Sequence, residues 1–271
     1  MPAFLFNKYF FKNNFAMKLI DTHSHIYSEV FDEDISEAIQ RAKDANVGQI
    51  FLPNIDSDSI EPMLKLVKDY PGFCLPMMGL HPTSVKENYE DELAICKKWL
   101  DEDKFIAIGE IGIDLYWDKT FLKEQQFVFQ EQLNWAIERE LPVVIHARES
   151  FSEIFEVLES FKNQNLKGVF HSFTGNLEQA NKAIDMGFML GLNGILTFKN
   201  SGLDKVVKEI DMKHLIVETD SPYLAPTPKR GKRNESAYVV LVAQKLAEIH
   251  NLSLSEVAEI TSRNAQNLFK V

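Results

Sequence analysis

The 271-residue chain is 45% hydrophobic, 25% charged and 11% aromatic, figures that exclude a disordered or fibrous protein. A formal net charge of −11 excludes an all-over basic nucleic-acid coat but leaves room for a local basic loop, and no apolar run approaches the roughly 18 residues that would span a membrane. Two cysteines, Cys74 and Cys96, cannot build a disulfide framework or a thiolate zinc site, which points to a reducing cytoplasm.

Residues 1–16 read as a poorly ordered N-terminal extension, with Met17 opening the folded domain. Asn13 and Asn14 interrupt the apolar stretch and no small-residue cleavage site follows it, so a secretory signal fits poorly. From there short, continuously apolar runs alternate with amphipathic ones. Strands are predicted at 19–26, 47–55, 73–80, 105–114, 142–148, 167–173, 187–195 and 215–220, each apolar enough to be buried on both faces. Helices are predicted at 33–45, 57–69, 90–100, 121–140, 150–161, 177–186 and 203–209, with Ser57 and Ser150 as N-caps. Two more follow the eighth strand, at 235–250 and 253–269, the second opened by a capping box of Ser253 and Glu256.

Strand then helix, eight times over, predicts an α/β fold, a single-domain (β/α)8 TIM barrel over 17–271. A doubly wound open sheet is the other arrangement this alternation allows, but no glycine-rich phosphate fingerprint follows the first strand; DTHSH at 21–25 stands there instead.

Five of the seven histidines fall at or just past the ends of predicted strands: His23 and His25 on the first, His81 on the third, His146 on the fifth and His171 on the sixth. Glu110 on the fourth and Asp220 on the eighth hold matching places, whereas His214 and His250 lie outside the pattern. In a closed barrel those strand ends meet on one rim, where barrel active sites lie. Imidazole and carboxylate are ligands for divalent cations, and His23 and His25, two apart, share a face. One such histidine is more often a hydrogen-bonded core residue; seven groups in register point to metal. There are more ligands than one ion needs, so two ions are expected, bridged by a carboxylate such as Glu110 and able to generate hydroxide near neutral pH.

Lys229, Arg230, Lys232 and Arg233 put four cations into five positions after the eighth strand, and Arg148 follows His146 by two. On the active rim both would meet phosphate, although a charge run is commonly only a solvated loop. Asp114 is placed to accept the second N–H of a ligand histidine, or merely to cap a turn, and Glu218 to support Asp220, or to form a buried salt bridge. Tyr116, Trp117, Phe173 and Tyr223 follow strands and can stack on bases or pack in the core.

Together IDTHSH at 20–25, GLHP at 79–82, GEIGID at 109–114, PVVIHAR at 142–148, VFHSF at 169–173, ETDSP at 218–222 and RGKRNE at 230–235 resemble the TatD family of metal-dependent deoxyribonucleases, an amidohydrolase-like barrel family. Ser236 departs from the pattern, standing where that family usually carries proline. The resemblance implies a two-metal site in which His23, His25 and Asp220 hold one ion, His146 and His171 the other, and Glu110 bridges. It implies hydrolysis of DNA phosphodiesters, as a 3′-5′ exonuclease on single strands, with Mg2+, Mn2+ or Zn2+, and a His81 that touches substrate phosphate.

The expected function is thus a TatD-like deoxyribonuclease acting in the cytoplasm as a monomer. Glu110 and Asp220 are its catalytic carboxylates, Asp220 orienting or deprotonating the attacking water, and His81, Arg148, Arg230, Lys232 and Arg233 bind substrate. Two other readings compete. One is an amidohydrolase or deaminase acting on a small cyclic amide or nucleobase, against which Glu110 stands where many such enzymes use a lysine. The other is a non-catalytic metal-dependent nucleic-acid-binding protein, against which the complete ligand set stands.

Overall fold

The structure, a computed structural model, describes residues 18–116 and 118–271; the predicted extension at 1–16, the Met17 start and Trp117 lie outside the described residues. Eight short strands appear in it: β1 (Leu19–Asp21), β2 (Val47–Pro53), β3 (Cys74–Met77), β4 (Ile108–Asp114), β5 (Val143–Arg148), β6 (Gly168–Phe170), β7 (Phe188–Leu192) and β8 (Leu215–Val217). Between and after them lie α1 (Ile35–Asp44), α2 (Ser57–Asp69), α3 (Tyr89–Glu102), α4 (Leu122–Arg139), α5 (Phe151–Glu159), α6 (Leu177–Asp185), α7 (Leu203–Lys208), α8 (Val239–His250) and α9 (Leu254–Phe269).

The strands pair in chain order and in parallel, β1 to β3 in one run and β4 to β8 in another. Single bridges join the runs, Met78 with Ile108 at one seam and Ser24 with Ser221 at the other. Backbone bonds hold both seams: Gly109 N–H donates to Met78 O at 2.9 Å, Asp220 N–H to His23 O at 2.9 Å and His25 N–H to Ser221 O at 2.7 Å. The fold is a (β/α)8 TIM barrel.

Alternation along the strands divides the core in two. Ile20, Phe51, Met77, Val144, Val169 and Ile216 point inward and pack together, while neighbours such as Leu19, Ile50, Leu52 and Val143 point out against the helices. Phe269 of α9 inserts edge-on against Phe51, ring centroids 4.9 Å apart. Because Ser262 of α9 also donates to Lys18 O, and Asn264 to Leu215 O, this helix covers the starts of the strands. The opposite mouth, where the strands end, is left for chemistry.

Several strands stop short of their predicted ends. β1 leaves its ladder after Asp21 and β8 after Val217, so the polar residues that follow turn into the mouth. Asp56, not Ser57, caps α2: its carboxylate accepts the Ser59 N–H at 3.2 Å and Ser59 Oγ accepts the Asp56 N–H at 3.1 Å. Ser150 does precede α5, but its hydroxyl donates to Ile113 O instead of capping. Ser253 and Glu256 form the expected capping box on α9. Ser236, the departure from the family pattern, is buried and lies 3.1 Å from Ser24 Oγ, which meets Ser221 Oγ at 2.7 Å. Among the described residues no helix is long and apolar enough to cross a membrane.

Candidate metal centre

Closure of the barrel brings His23, His25, His81, Glu110, His146, His171 and Asp220 to one mouth. Glu110 is the hub. Its Oε2 lies 3.0 Å from His23 Nε2 and 3.6 Å from His25 Nε2, and its Oε1 lies 2.8 Å from His146 Nδ1, 3.4 Å from His81 Nε2 and 3.8 Å from His171 Nε2. Asp220 Oδ1 stands 3.7 Å from His171 Nε2 and 3.8 Å from His25 Nε2. Asp220 and Ser172 adopt left-handed backbone, φ 59° and 48°, each just past the end of its strand.

Among the described residues three overlapping groups have ligand atoms close enough to share an ion: His23–His25–Asp220, His23–Glu110–His171 and His81–Glu110–His146. His146 therefore sits with His81, and His171 with His23, rather than with each other; Glu110 joins the two halves. The donor chemistry fits divalent cations. His23 and His25 aim Nε2 atoms at each other across 3.2 Å, and the His23 and His171 rings stack with centroids 3.3 Å apart. Convergent imidazole lone pairs and carboxylates in one buried pocket form a set that zinc or manganese accepts.

The outer nitrogens are braced from behind. His146 Nε2 lies 2.8 Å from Asp114 Oδ2, and Asp114 is itself set by Gln125, whose Oε1 accepts the Asp114 N–H at 2.9 Å. His171 Nδ1 lies 2.8 Å from Glu218 Oε1, which also accepts the Ser172 N–H at 2.6 Å. Glu218 fits only because residue 191 is glycine: a Cβ there would fall 2.5 Å from Glu218 Oε2. His25 Nδ1 meets Tyr27 Oη at 3.0 Å.

His81 differs. Its Nδ1 accepts the Thr83 N–H at 3.1 Å, capping the Pro82–Ser84 turn, and meets Thr83 Oγ1 at 2.6 Å. With Nδ1 accepting, the ring carries its proton on Nε2, which faces His146 Nδ1 at 3.3 Å and Glu110 Oε1 at 3.4 Å at the floor of the cleft, so in this tautomer His81 has no lone pair to give an ion. Tyr27 and Thr83 went unnoticed in the sequence, yet each is a polar residue two positions past a strand-end histidine, and that spacing is a usable signal.

Burial alone would raise the Glu110 carboxyl, but His81, His23 and His171 hold it well below the usual range. Burial pushes Asp220 up to about 6 against the pull of His171 and His25. Burial opposes charge on His146 and His171 as well, yet Asp114 and Glu110 lift His146 to about 9, and Glu218, Glu110 and Asp220 lift His171 to about 10. Burial, with His171 alongside, drives His23 well below its ordinary value.

Above the cluster opens a cleft of about 600 Å3, walled by Ile55, Arg148, Thr174, Ile195, Tyr223 and Leu224. Arg148 stacks on Tyr116, its guanidinium carbon 3.7 Å from the ring centroid. Arg230, Lys232 and Arg233 are not part of that lining. Arg233 instead grips Asp34 with two 2.7 Å bonds and donates to Val30 O, and Arg230 stacks on Phe198 at 3.6 Å. Two cations of the basic run, Arg230 and Arg233, are thus engaged within the protein, Arg233 on an Asp34 that Arg41 also holds. Phe173 is core, 5.6 Å from the Phe151 ring, whereas Tyr116 and Tyr223 are about half exposed, so only these two of the described aromatics fit stacking.

Comparison with known proteins places this geometry in context. The model of the family described as TatD related DNase matches residues 20–270. A Bacillus subtilis metal-dependent hydrolase of uncharacterized activity, YabD, is 38% identical over 254 residues, covering 93% of this chain and 99% of its own. The 3′-5′ ssDNA/RNA exonuclease TatD of Pectobacterium carotovorum is 28% identical, over 93% of this chain and all of its own length (100%). The crystal structure of YjjV, a TatD homologue from Escherichia coli, superposes with a TM-score of 0.87 at 29% identity, over 93% of this chain and 98% of that one.

Proposed function

The chain belongs to the TatD-related DNase family and is a metal-dependent hydrolase, and from that premise we propose that it hydrolyses phosphodiester bonds of DNA, as a 3′-5′ exonuclease on single strands. The observation that carries this reading is Glu110: each of its oxygens faces a different set of imidazoles, the arrangement two cations with a shared carboxylate require.

His23, His25 and Asp220 would hold one divalent ion and His146, with Glu110 between, the second, with Mg2+, Mn2+ and Zn2+ as the candidates; His171 Nε2, 3.7 Å from Asp220 Oδ1 and 3.8 Å from Glu110 Oε1, lies within reach of either. Such ions polarise a phosphoryl oxygen and lower the pKa of water toward neutrality. Asp220 would orient the attacking water or take up its proton. The His81 Nε2–H and the Arg148 guanidinium are placed to bind phosphoryl oxygens, Arg148 as a planar fork. Exposed Tyr223 offers a face for an unpaired base, which favours a single strand over a duplex. The Pectobacterium relative named as an exonuclease of both DNA and RNA supports a nucleic-acid substrate. We take the enzyme to act as a monomer built on one barrel domain, in a reducing cytoplasm where the two buried cysteines stay free thiols.

The test is cleavage of 5′-labelled single- and double-stranded DNA and RNA oligonucleotides with each metal in turn. We expect a ladder shortening from the 3′ end of single-stranded DNA, abolished in Glu110→Ala and Asp220→Ala proteins that still fold. Retention of DNA without cleavage under every ion, or hydrolysis of a cyclic amide instead, would overturn it.

A further inference from the structure

We propose that Tyr27 is a positioning residue for the metal centre, fixing His25 in the tautomer whose Nε2 lone pair faces the ligand cluster. The phenol hydroxyl lies 2.5 Å from Pro53 O, and a carbonyl oxygen only accepts, so the hydroxyl proton is committed there. The same oxygen lies 3.0 Å from His25 Nδ1. With its single proton spent on Pro53, Tyr27 can only accept at that contact, so His25 carries its proton on Nδ1. Nε2 is left with a lone pair, pointing to where Glu110 Oε2 and Asp220 Oδ1 stand 3.6 and 3.8 Å away. The brace is buried, Tyr27 being 7% exposed, and it ties the loop after β1 to the last residue of β2.

His146 and His171 are braced by the carboxylates of Asp114 and Glu218, which orient the ring and also add charge behind it. A phenol orients and adds none. His25 is therefore supported differently from His146 and His171, by hydrogen-bond geometry with no added charge behind the ring. Loss of the hydroxyl frees the His25 ring to take the other tautomer, which has no lone pair for an ion on Nε2.

The inference rests on the metal-centre reading of this site but not on the nuclease reading, since its test uses no nucleic acid. Chelator-treated full-length protein, wild type and Tyr27→Phe, is titrated with Zn2+ or Mn2+ and followed by calorimetry, while histidine 15N–1H correlation spectra at pH 8 report the tautomers. We expect a wild-type His25 protonated on Nδ1, and a Tyr27→Phe protein in which one of two binding steps weakens roughly 10- to 100-fold while the other is kept. Thermal unfolding monitored alongside separates this from loss of fold. The wild-type tautomer needs no variant at all, and a His25 protonated on Nε2 overturns the inference. So does a folded Tyr27→Phe protein with both steps unchanged, or one with both weakened equally.

Discussion

Glu218 Oε1 stands 2.8 Å from Nδ1 of His171, with both side chains almost fully buried. The carboxylate supplies negative charge behind a ring whose other nitrogen faces Glu110 and Asp220. Glu218→Gln keeps shape and removes that charge, so metal affinity should fall roughly 10- to 100-fold with the barrel intact. Gly191→Ala should do comparable harm, because the new Cβ would fall within 2.5 Å of Glu218 Oε2. Metal titrations of both variants check this; wild-type affinity in Glu218→Gln would show the contact to be mere packing.

Metal binding should release protons. Without an ion His146 and His171 hold theirs up to about 9 and about 10, and a ligand nitrogen must be free of its proton. Affinity should therefore rise with pH through the neutral range, by up to about a hundredfold per unit if both rings are deprotonated together. The same raised values work the other way on the metal-free fold: their stabilisation is complete below the ordinary histidine range near 6.5 and fades as pH climbs through about 9 and 10. Calorimetry in buffers of differing ionisation enthalpy counts the protons, and a pH-independent affinity would contradict both assignments.

Arg148 and Arg233 should separate. Arg148→Ala should raise KM for an oligonucleotide and reduce the salt dependence of binding by about one phosphate contact. Arg233→Ala should leave that slope unchanged and lower thermal stability, because its guanidinium is bonded to Asp34 and Val30 O. Binding isotherms across a salt series distinguish the two.

Asp21 offers a test of the scaffold. Burial pushes its carboxyl to about 7, against the Ser236 and Thr219 bonds that favour the ionised form. Since the unfolded chain loses this proton near pH 4 and the folded one near 7, stability should decline as pH rises between those values, by a few kcal/mol on an order-of-magnitude basis. Asp21→Asn should remove that decline while retaining bonds to Thr219. Urea denaturation of both proteins at pH 5 and pH 8 measures the difference.

Much of this was legible along the chain because its causes are local. The seven residues of β4 are buried throughout, and Ile108, Ile111 and Ile113 around Glu110 gave the strand away. The Ser253 and Glu256 box needs only two side chains three apart. The strand-end position of His23, His25, His81, Glu110, His146, His171 and Asp220 follows from the same reading, since a strand boundary and a polar residue are both visible in sequence. The fate of Arg233 was not visible, because its partner Asp34 lies 199 positions away. Phe173 stayed open between stacking and core packing for a similar reason: a strand-end aromatic looks the same whether it turns to the cleft or to Phe151.

By itself the sequence determined the alternation of buried strands and amphipathic helices, and with it the set of side chains delivered to one mouth of the barrel. Periodicity and strand ends are properties of neighbouring residues, so no tertiary contact was needed to read them. Only the tertiary structure decided which imidazole faces which carboxylate, that His81 spends its Nδ1 on Thr83 while His25 spends its own on Tyr27, and that the basic loop turns back on Asp34. The first and last depend on differences of about an ångström in the placement of groups that closure of the barrel brings together, and the two Nδ1 contacts, though only two positions apart in sequence, on ring orientation, since hydrogen bonds and lone pairs are directional on that scale.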